Sequence, residues 1–285
     1  MGRERQWGYC AICAKWRMLT RDHVPPSGCV ENRKLFVYSA HGHLSHDTDD
    51  GRHSEGGLYF DSICAECNER RLGQQYDPEL KRFVASVRSA WSSRFELGIQ
   101  LPNPYSVGCK PQRVARAVIG HLLSAVRPNQ IGRQPIDVPA ENRMREYFLD
   151  PNAPLPSSIR VFCWLYVEPR IVVMRTLGKI IFGRHFVTEI LKFPPIAFWV
   201  VHEPADLQLV AATDLLPDRT SALDCESLVP IEMMRRIHPM LPEAPGDGDV
   251  TFFAGQAGVV AEPRTTKQRR KRGKGRPGPT DSVNS

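Results

Sequence analysis

The chain has 285 residues, 38 Lys and Arg against 31 Asp and Glu, and 41% hydrophobic side chains, enough for one large or two ordinary globular domains. Its net charge of +7 is concentrated at one end, because Pro263 to Ser285 hold eight basic residues and one acid and leave residues 1–262 neutral, so the basic balance does not mark the body as a nucleic-acid binder. Membrane spans and secretory leaders are not expected: the longest apolar run, Phe193 to Val201, is interrupted by Pro194 and Pro195, and no apolar stretch follows the charged start MGRERQW.

In chain order, residues 1–75 contain two CxxC pairs, an Asp-His-Val-Pro-Pro run and a polar His/Asp/Gly-rich stretch. Residues 76–150 read as helical. Asp77-Pro78-Glu79 has the form of a helix start, with a capping Asp, Pro at the first helical position and an acid in the first turn. Leu80, Phe83, Val84, Val87, Trp91 and Phe95 then recur at helical spacing. Pro111 opens a second helix that is apolar around much of its circumference, which predicts burial; His121 within it reads as a packed core residue.

From Ile159 the pattern becomes β-rich. Arg160–Val167, Arg170–Met174, Lys179–Phe182, His185–Leu191 and Ile196–Val201 read as strands, with Glu168-Pro169 as the first turn, and Pro230–Ile237 as a short helix. Trp164, Tyr166 and Trp199 read as core aromatics rather than a base-stacking platform. The expected organisation is therefore α+β: a zinc-bound module over 1–75, a helical segment over 76–150, a small β-rich domain over 151–262 and a disordered basic tail over 263–285.

The strongest chemical signal is Cys10-Ala-Ile-Cys13 with Cys64-Ala-Glu-Cys67. Two such pairs supply four thiolates, enough to close a tetrahedral structural Zn²⁺ site with no open position. Without an export signal, the other cysteines, Cys29, Cys109, Cys163 and Cys225, read as buried thiols. Between the pairs lies Thr20-Arg21-Asp22-His23-Val24-Pro25-Pro26, and Asn68 directly follows the second pair, with Arg71 one helical turn on. A neutral imidazole is a suitable general base near pH 7. Hard oxygen ligands suit a divalent ion that neutralises a phosphodiester. Adjacent side chains on an extended segment point to opposite sides, so Asp22 and His23 cannot both face one ion.

These residues resemble the zinc-clamped HNH endonucleases of the ββα-metal class, through CxxC, Asp-His-x-Pro and CxxC-Asn; Gly73, Asp77 and Leu80 are similar to one subgroup of it. The resemblance covers about residues 8–80. It implies a treble-clef-like ββα fold, His23 as general base, Asp22 and Asn68 as ligands of a catalytic Mg²⁺ or Mn²⁺, and Arg71 as a contact to the scissile phosphate. The family's middle Asn is missing; Tyr59 stands near that place, with Asp61 the nearest polar residue. The function implied is hydrolysis of double-stranded DNA, in defence against foreign DNA or in a mobile element, with the C-terminal domain open to a protein partner. The other reading is a non-catalytic, zinc-stabilised nucleic-acid-binding or adaptor protein. A cytoplasmic location in a prokaryote or phage is expected, a nuclear one in a eukaryote.

The stretch from His41 to His53 holds four His and reads as a solvated insertion rather than a second metal site. In the tail, Arg269, Arg270, Lys271, Arg272, Lys274 and Arg276 form a polybasic run suited to phosphates. Within it, Lys274-Gly275-Arg276-Pro277 is similar to the AT-hook core, which lies in a narrow minor groove.

Overall fold

The computed structural model describes residues 6–30, 34–40, 51–96, 98, 100–181, 184–203, 212–234, 237–243, 250–253 and 258–264. Residues 41–50 of the His/Asp stretch, and the six basic residues named in the tail, lie outside them. The fold is mixed α/β.

Trp7–Tyr9 (β1) and Trp16–His23 (β2) form an antiparallel hairpin, and the far edge of β2 pairs with Tyr59–Cys64 (β5). A bulge between Thr20 and Asp22 changes the register of β2 against β5, which re-aims the side chains at its end. Beyond Cys64 the chain winds into Glu66–Tyr76 (α1), a π-helix whose last turn closes with the Asp77 N–H on the Leu72 carbonyl. Such wide helices are rare and cluster at functional sites. Asp77–Glu96 (α2) continues from it. Asp77 thus has helical backbone angles, φ −59° and ψ −36°, instead of the extended ones of the expected cap.

Pro111–Ser124 (α3) begins at the expected proline, and all of its residues but Arg113 are buried. It passes behind β2 and β5 and packs on α1, α2 and Pro139–Leu149 (α4). Gly120 is the point of closest approach: a Cβ there would stand 2.4 Å from Phe148 Cε2 and 2.7 Å from Leu72 Cδ2.

The large sheet holds Leu35–Ser39 (β3), Arg52–Ser54 (β4), Ile159–Leu165 (β7), Ile171–Ile181 (β8), Arg184–Phe193 (β9), Ile196–His202 (β10), Thr213–Asp214 (β11), Val250–Phe253 (β13) and Gly258–Pro263 (β14). Tyr105–Cys109 (β6) and Ser227–Ile231 (β12) pair separately. One face of the large sheet joins the core of the helices and the cysteine-rich module. The other face carries Phe162, Trp164, Tyr166, Met174 and Trp199, all buried.

Several expectations change. Residues 171–174 and 179–181, expected in two separate strands at 170–174 and 179–182, belong to one strand, β8, carried through a bulge at Arg175 and Thr176. Residues 230 and 231 are extended, paired with Ser106 and Tyr105, where a short helix was expected. Residues 35–39 and 52–54, expected in the zinc module, extend the C-terminal sheet through β14. Pro263 is paired with Leu35, and Arg264 lies 2.9 Å from Glu55, so the folded body runs past the expected boundary at 262. Among the other cysteines Cys29, Cys109 and Cys163 are buried, whereas Cys225 is exposed.

Candidate metal centre and its buried ion-pair support

The knuckle between β1 and β2 is built by its backbone. Cys10 N–H donates to the Lys15 carbonyl at 3.0 Å and Ala14 N–H to that of Cys10 at 2.9 Å, while Ala14 takes a left-handed φ of +54°. This turn presents Cys10 and Cys13 to Cys64, at the end of β5, and Cys67, in α1. The four sulfurs lie within 4.8 Å of one another, and Cys13 and Cys64 are 3.9 Å apart. A tetrahedron with metal–sulfur bonds of about 2.3 Å has edges of about 3.8 Å, so the quartet fits a Zn²⁺ ion. The Cys64 N–H points at Cys10 Sγ at 3.4 Å, a bond that favours a thiolate. Hydrogen bonding from Cys10 lowers the Cys13 thiol to about 6, while hydrogen bonds to Cys13 and Cys64 raise Cys10. Four clustered thiols cannot all ionise without a cation.

Asp22 and His23 end β2, and they do point apart. His23 is half-buried and sits across from Tyr59, the ring centroids 6.1 Å apart and edge-on. No hydrogen bond to its ring occurs among the described residues. Tyr59, near the expected place of the middle Asn, is sandwiched: the Arg21 guanidinium stacks 3.9 Å from its ring centroid, and Arg21 also reaches Asp61 at 3.1 Å.

Asp22 is buried, 3% exposed. Its Oδ2 accepts from the Ser124 hydroxyl and lies 3.0 Å from His121 Nδ1. His121 Nε2 in turn lies 2.9 Å from Asp77 Oδ1. His121 is fully buried between two carboxylates on different elements. Burial alone would drive its proton off; the two carboxylates reverse this and push its pKa up to about 10, so the ring is an imidazolium at neutral pH. It joins β2, α2 and α3. Both bonds to Asp22 use Oδ2, and among the described residues none is made to Oδ1.

Asn68 reaches back to β2 at the bulge, its Nδ2 donating to the Arg21 carbonyl at 2.7 Å and to Thr20 Oγ1 at 3.0 Å. Arg71 turns the other way: it donates to the Leu149 carbonyl at the end of α4 and lies 3.8 Å from Glu66. Among the described residues, the cysteine quartet is the only group of three or more His, Cys, Asp or Glu that could hold a metal ion.

The structure therefore brings the four cysteines together and places Asp22, His23 and Asn68 along the β2–β5–α1 unit, with Arg71 turned away. What the sequence reading missed is the Asp22–His121–Asp77–Ser124 network. The only local signal was an ionisable residue on an otherwise apolar helix. No helix among the described residues is long and apolar enough to cross a membrane. No family model, no curated protein and no solved structure matches the chain.

Proposed function

We propose that this protein is a metal-dependent DNA endonuclease with an HNH-like site on a zinc-clamped ββα-metal module. The observation that carries the reading is the β2–β5–α1 unit. It is closed by four cysteines, has at the end of β2 a His23 whose ring makes no hydrogen bond among the described residues, and has Asn68 on the helix touching the same strand.

In this reading His23 takes a proton from the attacking water on a ring nitrogen. The new P–O bond forms as the bond to the 3′ oxygen breaks, and that oxygen takes a proton from solvent water, leaving a 5′-phosphate and a 3′-hydroxyl. Asp22, through Oδ1, and Asn68, through its carbonyl oxygen, would hold the divalent ion. One or two protein oxygens plus waters suit Mg²⁺. When bound, that ion neutralises charge on the phosphoryl oxygens and eases departure of the 3′ oxygen. His121 and Ser124 hold Oδ2 of Asp22, as outer hydrogen bonds hold ligating carboxylates elsewhere. Tyr59 packs against the base in place of a middle Asn. The basic run from Arg269 to Arg276 tethers duplex DNA to a body that is otherwise neutral.

A second reading, a zinc-stabilised nucleic-acid-binding protein without catalysis, is favoured by one observation. Asp22 is committed to a buried ion pair and Arg71 to a backbone carbonyl. Supercoiled plasmid incubated with Mg²⁺ or Mn²⁺ separates the two. Nicking by the wild type and none by His23→Ala supports the nuclease. Equal nicking by both removes His23 from the mechanism, and binding without nicking by either supports the second reading.

A further inference from the structure

A cavity of about 190 Å³ lies between the zinc knuckle, the loop through Gly132 and the start of α4. Its walls are of two kinds. Tyr9, Val126, Pro135 and Ile136 give it an apolar side, and Arg133, Arg145, Arg175 and Glu141 give it a charged one. Arg145 and Arg175 are buried, and both guanidinium groups rest on the same oxygen, Glu141 Oε2, at 2.6 and 2.9 Å. Their remaining bonds go to neutral acceptors: the Ala11 carbonyl and Asn142 for Arg145, the Leu123 and Ala125 carbonyls for Arg175. The Arg175 Nε–H is buried and has no acceptor among the described residues. Arg133, exposed at the rim, makes no ion pair among the described residues.

Two buried cations on one carboxylate leave a positive excess where water cannot screen it. Among the described residues, no other acid is ion-paired to either guanidinium group. Glu189 Oε2 accepts the Thr176 N–H, and Asp137 is exposed and accepts from Asn142. The backbone is bent to keep Arg175 there: β8 bulges at this residue, and Thr176, a β-branched residue, is held at φ +53°. Such outliers persist where the surroundings enforce them, commonly at ligand sites.

We infer that this cavity binds a small organic oxyanion, a carboxylate or phosphate on a ring-sized apolar body, with the anion at the arginines and the body against Tyr9, Val126 and Ile136. The size fits, since a 150 Å³ apolar cavity takes benzene. Gln130 Oε1, a buried acceptor on the same wall without a donor among the described residues, takes an O–H or N–H of the ligand. The site is separate from Asp22 and His23 and does not depend on the nuclease reading.

The test uses the full zinc-loaded chain with three probes: 4-hydroxybenzoate, phenyl phosphate and the neutral 4-hydroxybenzyl alcohol, by titration calorimetry and by the NMR signals of Tyr9 and Ile136. Expected is saturable 1:1 binding of at least one anion, at least about tenfold tighter than the alcohol; the tighter anion identifies the headgroup as carboxylate or phosphate. Ile136→Glu and Arg133→Ala alter only the rim, where Ile136 is 55% exposed, so folding is kept. Each is expected to weaken the anion about tenfold with an unchanged melting temperature. The inference is overturned if the alcohol binds as tightly as the anions, if neither anion saturates, or if both rim variants bind as the wild type does.

Discussion

Replacing His121 by Gln removes the one cation between Asp22 and Asp77 while keeping a side chain of similar reach. The wild-type ring holds its proton to about pH 10, against an ordinary 6.5. At 1.36 kcal/mol per pH unit that difference is worth at most about 5 kcal/mol, in line with the ~3–5 kcal/mol lost when one partner of a buried pair is removed. The sign follows from the raised value. The folded state binds this proton more tightly than the unfolded chain, so the stabilisation is complete below pH 6.5 and is lost as pH rises through 10. Urea unfolding followed by circular dichroism, zinc retained and no other divalent ion added, measures both chains from pH 6 to 10.5. Comparing them cancels titration of the thiols, lysines and tyrosines that both share. The gap between wild type and His121→Gln is expected to be about 3–5 kcal/mol at pH 6.5 and to shrink steadily towards pH 10. A gap that is independent of pH, or a variant as stable as the wild type at pH 6.5, would refute an imidazolium at this place.

Zinc analysis of the purified protein is expected to give one ion per chain, and Cys64→Ser to lose both the ion and cooperative unfolding; much less than one zinc in the wild type removes the quartet from the account. Gly120→Ala drives a methyl into Phe148 and Leu72, and a loss of about 1–3 kcal/mol is expected in thermal melts; a neutral effect would mean that α1 and α4 can retreat. Truncation after Arg264, which spares the paired residue Pro263, is expected to weaken duplex DNA binding and flatten its salt dependence with an unchanged melting temperature. Unaltered affinity at low salt would sink the tether.

What could be read beforehand follows from how far apart the interacting residues lie. The cysteine quartet was legible because each half is a spacing of three residues. The buried helix α3 was legible because its periodicity is local. The partners of His121 lie 99 and 44 residues away in the chain, and no local pattern separates an imidazole that fills a core from one that pairs two carboxylates. Asp77 shows the same ambiguity. Asp-Pro-Glu spells a helix cap, yet an uninterrupted π-to-α junction frees its carboxylate for His121. Strand β8 read as two pieces because Arg175 and Thr176 break the apolar run, and only the pairing with β9 shows that they form a bulge. Residues 35–39 joined the distant sheet because β14, more than 200 residues later, supplies the edge they pair with.

Chemical rescue of His23→Ala tests the role of the base most directly. The variant, checked for full zinc content, is assayed for plasmid nicking with Mn²⁺ and increasing imidazole. If His23 accepts the proton of the attacking water, free imidazole filling the vacated space restores part of the lost rate, and the restored rate rises with the fraction of neutral imidazole as pH passes its pKa. Undiminished nicking by His23→Ala without imidazole would contradict that role, as would a loss of nicking that imidazole does not restore at any pH.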